Sequence, residues 1–302
     1  MKLNAKFLKH TVATLLGFGL VTSPAHATVL VTPTNDANTL ANSILGPGIT
    51  LQNATYTGAL QASGTFSGGN SAGIGIDNGI ILTTGRATDA AGPNNSLITS
   101  TSYVTPGDPQ LDTLVGGVTR DAASLNLNFT TQGGNLYLNY VFGSEEYNRS
   151  DPPFNDGIGF FLDGTNIALV PGTTTPVSVN NINGGNNSNY YINNPLNSPG
   201  LQYNGFTNVL TAQASGLSSG THNIKLVIAD TNDTSIDSGV FIQAGSFANQ
   251  PVPPSTPVPF EFSPGLTILV LGAASGIAQL RSKVKNKNSL EVLSLTTNDR
   301  QA

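Results

Sequence analysis

Asn135-Leu-Tyr-Leu-Asn-Tyr-Val-Phe-Gly-Ser-Glu-Glu-Tyr147 is the stretch on which the fold turns. Leu136, Leu138, Tyr140 and Phe142 occupy alternate positions, which gathers them on one face of an extended chain and would scatter them around a helix. Leu125, Leu127 and Phe129 repeat the pattern just upstream. Working outward, strands are expected at Gly79–Thr84, Ser124–Phe129, Asn135–Phe142, Gly157–Leu162, Ile167–Val170, Pro176–Asn180, Thr207–Gln213, His222–Ala229 and Gly239–Phe247. Asp163-Gly164 between two apolar runs is a strong two-residue hairpin signal. One early helix is expected, capped by Asn35 or Asp36, with Leu40, Ile44 and Leu45 on one face and Gly46-Pro47-Gly48 stopping it. The long segment Asn180–Tyr203, rich in Asn, Gly and Pro, reads as a surface loop. Many short antiparallel strands with little helix predict a mainly β fold: a single antiparallel β-sandwich of jelly-roll type over residues 28–249.

The chain has 302 residues, with 12 Lys+Arg against 17 Asp+Glu. Eight of the twelve basic residues lie near the ends: Lys2, Lys6, Lys9, Arg281, Lys283, Lys285, Lys287 and Arg300. Residues 28–259 keep four basic side chains against fourteen acidic ones, a balance of −10. Such a surface repels phosphate and argues against nucleic acid as a partner. With no Cys, a thiol nucleophile, a disulfide framework and a cysteine zinc site are excluded. Of three His, only His222 lies outside the N-terminal segment, which excludes a multi-histidine metal centre within one chain.

Both ends carry targeting patterns. Residues 1–27 combine Lys2, Lys6 and Lys9, a short apolar run from Val12 to Val21, and Ala25-His26-Ala27. That is the layout of a secretory signal peptide, with cleavage expected after Ala27. The apolar run is too short for a bilayer span of about 20 residues. At the other end, residues 250–259 form a Pro-rich spacer. Phe262–Leu280 is uncharged for 19 residues, about 28 Å of helix, enough to cross a bilayer. Arg281, Lys283, Lys285 and Lys287 behind it orient residues 288–302 to the cytoplasm and the folded part outside. The alternative is a C-terminal helix packed on the domain. Pro259-Phe260-Glu261-Phe262-Ser263-Pro264, the apolar run and the basic cluster together resemble a PEP-CTERM sorting signal. That resemblance implies a sorting protease of the exosortase type as a partner, besides the membrane itself. The motif here departs from Pro-Glu-Pro, and 15 residues follow the basic cluster.

Asn135–Tyr147, Phe154–Asp163 and Asn166–Gly172, followed in order by Tyr203–Thr207, Leu226–Asp230 and Asp237–Phe247, resemble the choice-of-anchor L domain. The resemblance implies an extracellular β-rich module with no catalytic activity to carry over.

Candidate chemistry centres on acids. Asp230-Thr-Asn-Asp-Thr-Ser-Ile-Asp237 places three carboxylates and Asn232 on one loop, and Glu145, Glu146, Asn155 and Asp156 form a second group. If the strands ending at Phe142 and Ala229 run parallel in space, the groups meet at one end of the sandwich. Ca²⁺ takes six to eight oxygen ligands from such loops, so Glu145, Asp156, Asp230 and Asp237 are the expected ligands. The loop is no EF-hand, because Ser235 and Phe241 stand where that motif needs Gly and Glu. The alternative is that these acids cap turns. An enzymatic reading pairs Glu145 or Glu146 with Asp156 for glycoside hydrolysis, with Tyr147, Tyr190, Tyr191 and Tyr203 as sugar platforms. Gly216-Leu-Ser218-Ser-Gly220 matches the serine-hydrolase elbow, with His222 and Asp230 nearby, but it leads into a strand rather than a helix and reads as a hairpin turn. Gly73-Ile-Gly75 lacks the dinucleotide spacing. The sequence as a whole predicts an exported, non-enzymatic surface or matrix module that binds extracellular polysaccharide and is braced by calcium. The alternatives are a polysaccharide hydrolase and a purely structural matrix protein.

Overall fold

A computed structural model describes residues 28–147 and 155–254. They belong to the first of two compact units, Met1–Pro257; the second, Val258–Ala302, lies outside the described residues. Outside them too lie the expected signal peptide with Ala25 and Ala27, the motif Pro259–Pro264, the apolar run Phe262–Leu280, the basic cluster and the tail. Among the described residues no helix is long and apolar enough to cross a membrane.

In chain order the elements are β1 (Leu30–Pro33), α1 (Ala37–Ile44), β2 (Ile49–Thr57), β3 (Ser63–Ser67), β4 (Gly79–Thr83), α2 (Pro109–Val115), β5 (Thr119–Thr131) and β6 (Gly134–Ser144). They continue with β7 (Gly157–Leu162), β8 (Thr165–Asn166), β9 (Tyr191–Asn193), β10 (Gly205–Thr207), β11 (Leu210–Leu217), β12 (Gly220–Thr231) and β13 (Ser238–Gln243). One sheet runs β1-β3-β4-β13-β6-β10-β9, with β11 also on β6; the other runs β2-β5-β12-β7-β8. Every pairing between these strands is antiparallel. The two-sheet sandwich therefore holds, with thirteen strands among the described residues where a simple jelly roll has about eight.

Alternation builds the core as the sequence predicts. Leu125, Leu127 and Phe129 of β5 meet Leu136, Leu138, Tyr140 and Phe142 of β6, with Phe160, Leu226 and Ile242 between them. Tyr140 stands edge-on to Phe160, centroids 4.9 Å apart, and Phe129 to Phe247 at 4.9 Å. The opposite faces are covered as well. Val141 and Phe241 pack outward against Phe66, Tyr203 and Phe206, and Val227 and Phe161 pack under Leu111 of α2. Strands buried on both sides lose the polar half of their pattern, which is why β4 is buried along its whole length.

Local signals were read correctly where a named interaction sets them. Asp36 caps α1, accepting from the amides of Asn38 and Thr39, and Leu40 and Ile44 are buried beneath it. Asp163 (φ 46°) and Gly164 (φ 86°) form the left-handed pair of a tight hairpin between β7 and β8.

Other expectations need correction. Ile167–Val170 and Pro176–Asn180 form no strands, only isolated bridges, Leu169 to Pro176 and Gly157 to Ser178. Asn180–Tyr203 is not a plain surface loop: it contains β9 and buries Ile182, Asn194, Leu201, Gln202 and Tyr203. Asn194 does this by donating to the carbonyls of Leu201 (3.0 Å) and Tyr203 (2.6 Å). The Pro-rich spacer begins on the domain, since Asn139 donates to the Val252 carbonyl (2.7 Å) and Gln243 to that of Pro253 (3.1 Å).

Candidate functional site

β6 runs out at Ser144 into Glu145-Glu146-Tyr147, and β12 ends beside Asp230 at the same end of the sandwich. β13 begins opposite, with Ser238 in register with Ser144. The loop between β12 and β13 is held against residues 99–101. The Asp237 amide donates to the Thr99 carbonyl (3.1 Å), the Ile236 amide to Ser100 Oγ (2.9 Å), and the Thr101 amide to Asp237 Oδ1 (2.9 Å). Ile236 has φ 69°, a left-handed conformation that costs a β-branched residue of order 1–3 kcal/mol.

Asp156 joins the two sheets. Its Oδ1 accepts from the Thr231 amide on β12 (2.9 Å), and its Oδ2 accepts from Ser238 Oγ on β13 (2.8 Å). Ser238 Oγ also bonds Ser144 Oγ of β6 at 2.8 Å. The Glu145 amide donates to the Asp237 carbonyl (3.0 Å) and the Asn204 side chain to the Glu145 carbonyl (2.6 Å). A side chain at Gly85 would collide with the Asp237 carboxyl, so glycine makes room for it. The two acidic groups noted in the sequence therefore meet.

Glu145, Asp156 and Asp230 have no exposed surface and Asp237 is 3% exposed. Burial is the first cause that raises all four carboxyls. Glu145 is pushed up to about 8, with Asp237 adding to the effect, and Asp237 to about 7, with Asp89 and Asp121 adding. Asp156 is raised by burial and then by Glu146; Asp230 by burial and then by Asp156. Gln202 and Thr99 near Glu145, and Thr84 near Asp230, favour the charged forms without closing a hydrogen bond of normal geometry on either carboxyl.

Capping explains other acids in this molecule but not all of these. Asp108 caps α2, Asp112 accepts from the Thr119 amide and hydroxyl, and Asp121 accepts from the amides of Tyr103 and Thr105. By contrast both oxygens of Glu145, both of Asp230, and Oδ2 of Asp237 are buried without a hydrogen-bond partner. As the side chains stand, no three His, Cys, Asp or Glu among the described residues are arranged to hold one metal ion. For the glycosidase reading, neither Glu145 nor Asp156 presents any surface to a polymer.

The serine motif sits in the turn between β11 and β12, as expected, and its acid partner is Asp163 rather than Asp230. His222 Nδ1 lies 2.6 Å from Asp163 Oδ2, and Nε2 lies 3.5 Å from Ser218 Oγ but 3.0 Å from the Ser218 carbonyl. A carbonyl oxygen only accepts, so Nε2 carries a proton and cannot take one from the hydroxyl.

A cleft of about 360 Å³, not read from the sequence, opens on the outer face of the five-stranded sheet. Thr57, Thr105, Asp108, Ser124, Asn126 and Lys225 line it. Lys225 Nζ pairs with Asp108 Oδ2 at 2.5 Å and lies 5.0 Å from the centre of the Phe161 ring. The legible signal was Asp108-Pro109, an N-cap followed by proline at the first helical position.

The model of the choice-of-anchor L domain family matches residues 29–248. No curated protein and no solved structure matches the chain.

Proposed function

The chain belongs to the choice-of-anchor L domain family, a surface-associated module, and on that premise we propose that it is exported and binds an extracellular polysaccharide without catalysing a reaction. The observation that supports binding is the cleft on the five-stranded sheet. Sugars present dense hydroxyl groups, and the hydroxyls of Thr57, Thr105 and Ser124, the amide of Asn126 and the Lys225–Asp108 pair offer both donors and acceptors to them. Gly58, Pro106, Gly107 and Ala122 supply an apolar floor.

Export and anchoring belong to the same reading and rest on the sequence patterns of residues 1–27 and 259–287. The N-terminal leader directs secretion, and the C-terminal helix holds the module at the membrane until sorting by an exosortase-type protease. Cell fractionation with mass spectrometry of the mature ends tests this part; an intact chain in the cytosol overturns it.

A glycan array probed with the full chain tests binding. Asn126→Ala and Ser124→Ala are each expected to weaken a positive signal about fivefold, removing a hydrogen bond worth about 1 kcal/mol. An array without signal, together with cell aggregation unchanged on deletion, overturns the binding reading in favour of a structural matrix role.

A further inference from the structure

The orphaned oxygens at the end of the sandwich call for a ligand that hydrogen bonds cannot supply. Five of the eight carboxyl oxygens of Glu145, Asp156, Asp230 and Asp237 are buried without a partner. The cleft reading leaves all five unexplained. A proton shared between two neighbouring carboxyls satisfies only that pair and leaves the other oxygens bare, and each unmet group costs about 1–3 kcal/mol. Acceptors alone, gathered from several loops and shielded from water, match a hard cation that takes six to eight oxygens.

We propose that Glu145, Asp156, Asp230 and Asp237 form a calcium site that braces the junction of β6, β12 and β13. The framework is already fixed. Asp156 is held by Thr231 and Ser238 (2.9 and 2.8 Å), and an oxygen that accepts one hydrogen bond retains a lone pair for a metal. Asp237 is held through Oδ1 by Thr101 at 2.9 Å, leaving Oδ2 free. The moving parts are the carboxyls of Glu145 and Asp230, which have Gln202, Thr99 and Thr84 near them but no hydrogen bond of normal geometry to give up in turning toward an ion. This accounts for the absence of a ready-made three-carboxylate arrangement among the described residues. The strained Ile236, directly before Asp237, fits a loop shaped by binding rather than by its own preference. The site is independent of whatever the outer cleft binds.

The test uses the full chain in detergent, with calcium alone as the probe. The melting temperature is expected to rise by about 5–10 °C at free calcium 100 times Kd relative to EGTA. Terbium luminescence excited through tyrosine is expected on the wild type, because the Tyr203 hydroxyl lies 3.3 Å from Thr83 Oγ1, two residues before Gly85, against which the Asp237 carboxyl packs, and calcium should quench it by displacement. Glu145→Gln and Asp230→Asn should abolish both effects. The terbium titration stands on the wild type alone, should either variant not fold. A wild type with neither response, or variants that keep the calcium-induced rise, overturns the site.

Discussion

His222 Nδ1 and Asp163 Oδ2 lie 2.6 Å apart, joining the first residue of the β7–β8 turn to the strand beside it. The bond to Asp163, with the Ser218 carbonyl second, raises the imidazole above its ordinary 6.5. Burial pulls Asp163 upward, but the Asn223 amide and His222 outweigh it and leave the carboxyl below its ordinary 3.8. A raised histidine stabilises the fold fully below about pH 6.5 and loses that contribution as pH rises through its folded value. A lowered carboxyl contributes above about pH 3.8 and loses it as pH falls. The pair therefore works between these limits. Urea unfolding of wild type and His222→Gln should differ at pH 5.5 and converge by pH 9. The difference is expected to stay below about 1 kcal/mol, because Asp163 is half exposed. Equal differences at both pH values would sink this assignment.

Gly164 follows in the same turn at φ 86°. Gly164→Val is expected to lower stability by about 1 kcal/mol or more, since a β-branched residue resists the left-handed region. Denaturant midpoints measure it, and an unchanged midpoint would mean that the turn can adopt another geometry.

Tyr140 has a buried hydroxyl with no hydrogen-bond partner, and burial raises its ionisation far above the usual tyrosine range. Tyr140→Phe keeps the edge-on contact with Phe160 and removes the orphaned group. It should stabilise the fold by roughly 1 kcal/mol, seen as a higher melting temperature. A loss of stability would instead reveal a partner for that hydroxyl.

Asp156→Ala removes the Asp156 acceptor from the buried Thr231 amide and one of two partners from the buried Ser238 hydroxyl, which keeps Ser144 Oγ. One orphaned amide implies a loss of about 1–3 kcal/mol in denaturant unfolding. Asp156→Asn, which can still accept at one oxygen, should lose less.

What could be read from the sequence was whatever a single strand or turn decides by itself. Leu136 to Phe142 announced their buried face, Asp36 its cap, and Asp163-Gly164 its turn. The pairing of Glu145 with the Asp230–Asp237 loop was legible only as a condition on strand direction, which the register of Ser238 with Ser144 meets. β1 was missed because it is four residues long and ends in proline, and β2 and β3 because Thr and Asn in the one and Ser and Gly in the other dilute the apolar signal. α2 was missed because seven residues give too few turns for a period. Tyr203 is buried against Phe66 and Phe241, residues distant in sequence that no local pattern brings together, while Asn194 closes the loop before it. Likewise the cleft forms where the 105–108 segment meets residues of β2, β5 and β12 that are distant in sequence.

The attachment of Val252 and Pro253 to Asn139 and Gln243 sets how tension enters the molecule. Chain beyond Pro254 pulls first on two side-chain contacts, then on the backbone pairing of Ala248 with Tyr137, and only afterwards on β13, which is flanked by β4 and β6. When the molecule is stretched from its C-terminal side, those outer contacts are expected to yield first, and a single-molecule trace should show a small early rip before the sandwich gives way.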